Sequence, residues 1–150
     1  MIRKNFAEKA GSNYAASRGE FLNGKIMAAY LGFEFIDAAE VVRFDENGDF
    51  QSEITNEIMS ARLEKAKNAV IPGFYGATEE GRVVTFSRGG SDITGSLVAR
   101  AVNADLYENW TDVSGFLIAD PRIVKGSKSI ETITYKELRE LSYMGAKCPS

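Results

Sequence analysis

From Ser17 to Leu31 the apolar residues Leu22, Ile26, Ala29 and Tyr30 recur at spacings of four, three and one. That spacing lays them along one face of a helix, the face expected to be buried. Gly32 predicts the end of that helix, because glycine tolerates the left-handed conformation common just past a helix C-terminus. Phe33–Ile36 and Glu40–Phe44 then read as strands, the second through the β-formers Val41, Val42 and Phe44. Asp45–Asp49 (DENGD) has the composition of a turn. A second helix is expected over Thr55–Lys67, with Ile54, Ile58 and Ala61 again stepping by four and three. Asn68–Phe74 (NAVIPGF) is a short, nearly continuous apolar run, which is how a strand buried on both faces reads.

Gly76–Gly81 reads as a loop, with a hairpin turn as the alternative, and Val83–Phe86 as a strand. Ser87–Asp92 (SRGGSD) is a glycine-rich turn, followed by a helix from Ile93 to about Val102 with Leu97, Val98 and Ala101 inside. Ala104–Trp110 is expected to be a strand, and Leu117–Ala119 a short one. Thr134 and Glu137 form a T-x-x-E capping box that opens a helix running to Met144. Alternation of this kind implies crossover connections. The expected class is α/β, with a mainly parallel sheet covered by helices on both faces.

Composition narrows the chemistry. The 150 residues are 44% hydrophobic and 26% charged and contain no histidine. That excludes Ser-His-Asp triads, Cys-His dyads and His-ligated zinc. Cys148 is the one cysteine and lies near the end, so an internal disulfide and a Cys-rich metal site are excluded. The net charge is −3 and the pI about 5.1, which argues against a nucleic-acid partner. The longest stretch without a charge, Asn68–Thr78, has 11 residues, includes Pro72 and two glycines, and is too short to span a membrane. Met1–Asn5 is basic, but no apolar run follows it as in a secretory signal. A cytoplasmic location is the default expectation.

Three segments could carry chemistry. In SRGGSD the paired glycines let the backbone turn tightly and approach a ligand. The following helix offers free N–H groups to an anion. Arg88 can grip a carboxylate or phosphate bidentately, and Asp92 is either an N-cap or a ligand contact. The alternative is a plain strand–helix turn capped by aspartate. Neither a P-loop nor a dinucleotide fingerprint occurs. In Trp110–Gly115 (WTDVSG), Thr111 and Asp112 would sit beyond the end of a strand, where open α/β sheets bind ligands. Asp120-Pro121-Arg122 follows closely. The alternative is two successive turns. In Ser17–Glu20 (SRGE), Glu20 could equally serve only to complement a helix dipole. Lys147 alone looks like an ordinary solvated lysine.

In order along the chain stand SRGEFLNGKIMAAYLG (Ser17–Gly32), VIPGFYGAT (Val70–Thr78), the long run from Val83 to Arg122, and ITYKELRELSYMGAK (Ile133–Lys147). With these motifs the chain closely resembles the central part of the bacterial aspartokinases, within the amino acid kinase family. The resemblance covers about Tyr14 to Lys147. It implies a three-layer sandwich, incomplete in this chain. It also implies ATP-dependent phosphorylation of the β-carboxylate of L-aspartate, at the entry to lysine, methionine and threonine synthesis. Such chemistry rests on positioning and charge stabilisation, and histidine is not needed.

By the same resemblance Arg88 and Asp92 are the catalytic candidates. Arg88 would clamp the α-carboxylate, and Glu20 and Asp92 would hold the ammonium. Gly89, Gly90 and Ser91 would complete the substrate turn. Thr111, Asp112 and Leu117 would line the nucleotide pocket, with Asp120, Arg122 and Lys147 along ribose and phosphates. Mg²⁺ would bridge the phosphates of ATP.

The family's lysine–phenylalanine–glycine–glycine–serine segment, which holds a catalytic lysine, is not found here, nor are the ACT domains. The expectation is a single partial kinase domain over residues 1–150, inactive alone. Two other readings stay open: a non-catalytic module that binds a nucleotide or amino acid, and a homo-oligomer or a subunit that complements an N-terminal fragment.

Overall fold

The computed structural model describes residues 4–5, 11–110, 118, 123–134, 136–137 and 140. The chain forms two compact units, Met1–Asn109 and Trp110–Ser150. In the first unit the order is α1 (Ser12–Leu31), β1 (Glu34–Phe35), α2 (Ala38–Val41), α3 (Ser52–Leu63), β2 (Ala69–Val70), β3 (Tyr75–Ala77), β4 (Val83–Thr85) and α4 (Gly90–Ala101). β1 and β2 pair in parallel, while β3 and β4 pair antiparallel. The class is α/β, as expected. Among the described residues no helix is long and apolar enough to cross a membrane.

α1 ends as its sequence predicts, at Gly32 with φ 69°, whose N–H bonds the Ala28 carbonyl. Its buried face is not the expected one. Tyr14, Ser17, Arg18, Phe21, Gly24 and Ala28 face inward. Ile26 is 66% and Tyr30 82% exposed, with Leu22 also exposed. The helix carries apolar residues on two sides, so periodicity alone could not choose between them. The inward side has the small residues, and these let the helix close on its neighbours. A β-carbon on Gly24 would lie 3.2 Å from the Phe35 ring.

Local hydrogen bonding overrides β-propensity at residues 38–41. The Asp37 carboxylate accepts from the Ala39 N–H at 3.0 Å and opens a single helical turn. The strand expected over Glu40–Phe44 shrinks to two bridges, Arg43 with Ala77 and Phe44 with Phe50. Asp45 then makes the expected turn, accepting from the Asn47 and Asp49 amides at 2.9 and 2.8 Å. The Asp49 amide, helped by those of Asn47 and Gly48, holds the Asp45 carboxyl below its usual range.

α3 starts three residues before the expected Thr55 and stops four before Lys67. Those limits put Glu53 in its first turn and Arg62 in its last, both favourable to the helix dipole. The Asn68–Phe74 run is a paired strand only at Ala69–Val70. Pro72 has no N–H to continue the ladder. Of the two readings of Gly76–Gly81 the hairpin is the one formed, with β3 and β4 paired from Tyr75 to Thr85. Gly76 marks a close approach there rather than a loop, since a β-carbon on it would lie 2.4 Å from the Val42 carbonyl oxygen.

The core gathers Phe21, Ile36, Val42, Met59, Tyr75 and Leu97. Phe44, Phe50 and Phe86 stack beside it with ring centroids 5.0–5.8 Å apart. Arg18 is buried against aromatic faces, its guanidinium carbon 4.4 Å from the Tyr14 and Phe21 centroids and 5.5 Å from Tyr75. Its Nη2 also donates to Ser17 Oγ at 2.9 Å. Desolvated cation–π contacts of this kind contribute about 2 kcal/mol.

The strand expected over Ala104–Trp110 is not formed, and every residue of it is exposed. A strand needs a neighbour to hold its backbone groups, and none is paired with it among the described residues. In the second unit, the Ile118 N–H bonds the Lys128 carbonyl at 3.0 Å. The rest of the expected Leu117–Ala119 strand lies outside the described residues. The capping box is present in full. Glu137 Oε2 accepts from the Thr134 N–H at 2.8 Å, and Thr134 Oγ1 accepts from the Glu137 N–H at 3.3 Å.

Candidate active site

The glycine turn and the loop beside it are docked through two close contacts. α4 begins at Gly90, three residues earlier than expected, after Gly89 in the left-handed conformation (φ 59°). A β-carbon on Gly90 would lie 2.7 Å from the Phe74 α-carbon, and one on Gly73 would lie 2.9 Å from the Ser91 α-carbon. Backbone thus rests directly on backbone, which only glycine allows at this spacing. Thr94 fastens the contact. Its hydroxyl donates to the Gly90 carbonyl at 2.8 Å and accepts from the Phe74 N–H at 3.1 Å. The Phe74 carbonyl accepts from Phe86 N–H at 2.9 Å. Phe74 is held at φ 63°, a conformation unfavourable for a bulky residue and found where structure enforces it.

This anchoring presents SRGGSD at the N-terminus of α4. Arg88 is exposed and has no partner among the described residues. Asp92 is not the N-cap. It lies within the first turn of α4, where the cap position belongs to Gly89 and no side chain caps the helix. Its Oδ1 accepts from Asn109 Nδ2 at 3.2 Å. A carboxylate there complements the dipole, so the turn combines amide donors, an exposed guanidinium and a tethered carboxylate.

Glu20 projects from α1 and, with Ser91, lines a cavity of about 680 Å³. Glu20 and Ser91, far apart in sequence, thus face one cavity. Arg88, Gly89 and Asp92 belong to the same turn but are not among the residues lining that cavity. Thr111, Asp112, Leu117, Asp120, Arg122 and Lys147 lie outside the described residues. Sequence reasoning passed over Gly73, Phe74 and Thr94. A threonine four residues after Gly90 was the available signal, because its hydroxyl can bond back within the helix.

A helix N-terminus opened by paired glycines, with an arginine at its mouth and an acidic residue from another helix beside it, suits an anionic amino-acid substrate. The amino acid kinase family profile matches residues 2–148, and the chain belongs to this family. Within it, the relatives are aspartokinases. Aspartokinase 3 of Bacillus subtilis is 41% identical over 139 residues, covering 85% of this chain and 30% of that protein. The crystal structure of Clostridium acetobutylicum aspartate kinase shares 60% identity with a TM-score of 0.90, covering 99% of this chain and 34% of that one. Escherichia coli aspartokinase III, solved with aspartate and ADP, shares 29% identity with a TM-score of 0.76, over 89% of this chain and 32% of that one. The chain thus spans about a third of the length of these proteins.

Proposed function

We propose that this chain carries most of the amino-acid site and part of the nucleotide site of an aspartokinase. The reaction is transfer of the γ-phosphoryl group of ATP to the β-carboxylate of L-aspartate, giving 4-phospho-L-aspartate for lysine, methionine and threonine synthesis. The observation that supports it best is Arg88. Its guanidinium is exposed, with no partner among the described residues, on a glycine turn at a helix N-terminus, in a chain 60% identical to an aspartate kinase.

In this reading Arg88 fixes the α-carboxylate, and Glu20 and Asp92 hold the ammonium. That aims the β-carboxylate at the phosphoryl group, which is the main task in phosphoryl transfer. The α4 amides take up charge on the phosphates. Thr111, Asp112, Leu117, Asp120, Arg122 and Lys147 carry the nucleotide. Magnesium neutralises the phosphates when bound. Among the described residues no group of three or more carboxylates or thiols is placed to hold a metal. The ion would be kept largely by phosphate oxygens and water, with Asp92 the carboxylate of the turn available to its water shell.

The isolated chain is expected to bind without appreciable turnover. A coupled assay with ATP, magnesium and aspartate tests this, and a rate typical of the family would overturn it. Calorimetry with aspartate tests the site itself. Arg88→Ala removes a charge-assisted contact of about 1.5–3 kcal/mol, so aspartate affinity should fall at least about tenfold. Unchanged affinity in the variant would remove Arg88 from the site.

A further inference from the structure

One residue holds both ends of the glycine turn. The Phe74 carbonyl accepts from the Phe86 N–H at 2.9 Å, where β4 runs into the turn. The Phe74 N–H donates to Thr94 Oγ1 at 3.1 Å, one turn into α4. Ser87–Ile93 is thus slung between two bonds to the same residue. Arg88, the glycine pair, Ser91 and Asp92 all lie in that span.

The two bonds differ in kind. The entry bond is backbone to backbone and continues the β3–β4 ladder, so any residue but proline supplies it. The exit bond needs a side-chain acceptor, and Thr94 provides it. The Thr94 hydroxyl spends its proton on the Gly90 carbonyl at 2.8 Å, which leaves its lone pairs for Phe74. One oxygen therefore ties the start of α4 to the neighbouring loop. Thr94 is 3% exposed, so water does not compete for either bond. Phe74 is a fixed anchor. On one side Tyr75 is fully buried and bonded to Asp37. On the other, Gly73 rests on Ser91.

We infer that Thr94 is a positioning residue for amino-acid binding, whose hydroxyl fixes where Arg88 and Asp92 stand. The inference rests on the amino-acid site proposed above and adds the group that sets its geometry. A guanidinium grips a carboxylate bidentately only in a narrow range of orientations. Releasing the exit end of the turn lets Arg88 leave that range. The coupling is reciprocal, so a ligand that fixes the turn also holds the Thr94–Phe74 bond closed.

The test combines calorimetry with aspartate and amide hydrogen exchange, both on this chain. Thr94→Val keeps the shape and removes both hydroxyl bonds, and aspartate affinity should fall at least about tenfold. Thr94→Ser should restore it. In the native chain aspartate should slow exchange of the Phe74 N–H at least about tenfold, and in Thr94→Val it should not. Thr78→Val is the matched control. Thr78 is 1% exposed and its Oγ1 accepts from the Arg82 N–H at 3.2 Å, at the far end of the hairpin. That variant should lose stability and keep its aspartate affinity. Equal loss of affinity in both valine variants would reduce Thr94 to a general stabiliser and overturn the inference. If Thr94→Val fails to fold, Phe74 exchange in the native chain decides, and exchange indifferent to aspartate overturns it. Affinity lost in Arg88→Ala but kept in Thr94→Val would overturn this inference and leave the amino-acid site standing. Affinity kept in both would overturn the site and the inference with it.

Discussion

Tyr75→Ala is expected to lower stability by about 3–5 kcal/mol, the usual cost of deleting a buried aromatic side chain. Folded domains hold only about 5–15 kcal/mol in reserve, so the loss is a large share of the total and the urea midpoint should fall sharply. The reason lies in where Tyr75 sits. It is fully buried in the core. Its ring meets the Arg18 guanidinium, and its hydroxyl donates to Asp37 Oδ1 at 2.7 Å. Asp37 in turn caps α2. Tyr75→Phe separates these roles by keeping the ring and deleting the hydroxyl. It should cost about 1.5–3 kcal/mol, as for a hydrogen bond to a charged group.

The two proteins should also differ in alkali. Burial, reinforced by the Asp37 carboxylate, pushes the Tyr75 phenol well above its ordinary value. A group raised on folding contributes its full stability below the unfolded value, about 10, and loses it as pH rises further. The gap between the native chain and Tyr75→Phe should therefore narrow above about pH 10. Urea titrations at pH 8 and pH 10.5 read it directly, and a constant gap would contradict the burial of the phenol.

Gly90→Ala is expected to cost about 3 kcal/mol, at the upper end for overpacking. The new methyl would press on the Phe74 α-carbon at 2.7 Å and on the Phe86 β-carbon at 2.8 Å. The Phe74 atom is main chain and cannot rotate away, so the loop must lift from α4. That movement stretches the Thr94–Phe74 bond and shifts the turn that presents Arg88. Aspartate affinity should fall together with stability. Gly89→Ala is the control. Nothing lies within 4 Å of its β-carbon, so it feels only the strain of its positive φ, about 1 kcal/mol. Equal urea midpoints for the two variants would show that the close approach carries no energy.

Glu20 was singled out only by the family resemblance, since α1 starts at Ser12 and carries Glu20 well inside it rather than in its first turn; the glycine turn with Arg88 was legible in the sequence because a glycine pair at a strand–helix junction is a local signal. So were the α/β class, the Asp45 turn and the Thr134–Glu137 box, which depend on residues a few positions apart. The inward face of α1 was not legible. It depends on which side has residues small enough to approach β1, and the sheet, not the helix, decides that. Ala104–Trp110 has the composition of a strand but lacks a partner, and pairing is a property of two segments. The Phe74–Gly90 contact was hidden for a similar reason, since Phe74 alone reads as the end of a strand and Gly90 as part of a turn.

The charge that α1 carries into the core has a thermal consequence. The guanidinium of Arg18 is a cation held within the interior. What changes is the cost of keeping it dry. Hydration of ions becomes less favourable on heating, which shrinks the penalty for withholding water from Arg18 as the temperature rises. The stack of Tyr14, Phe21 and Tyr75 around it is thus a heat-tolerant joint, at its most expensive in the cold.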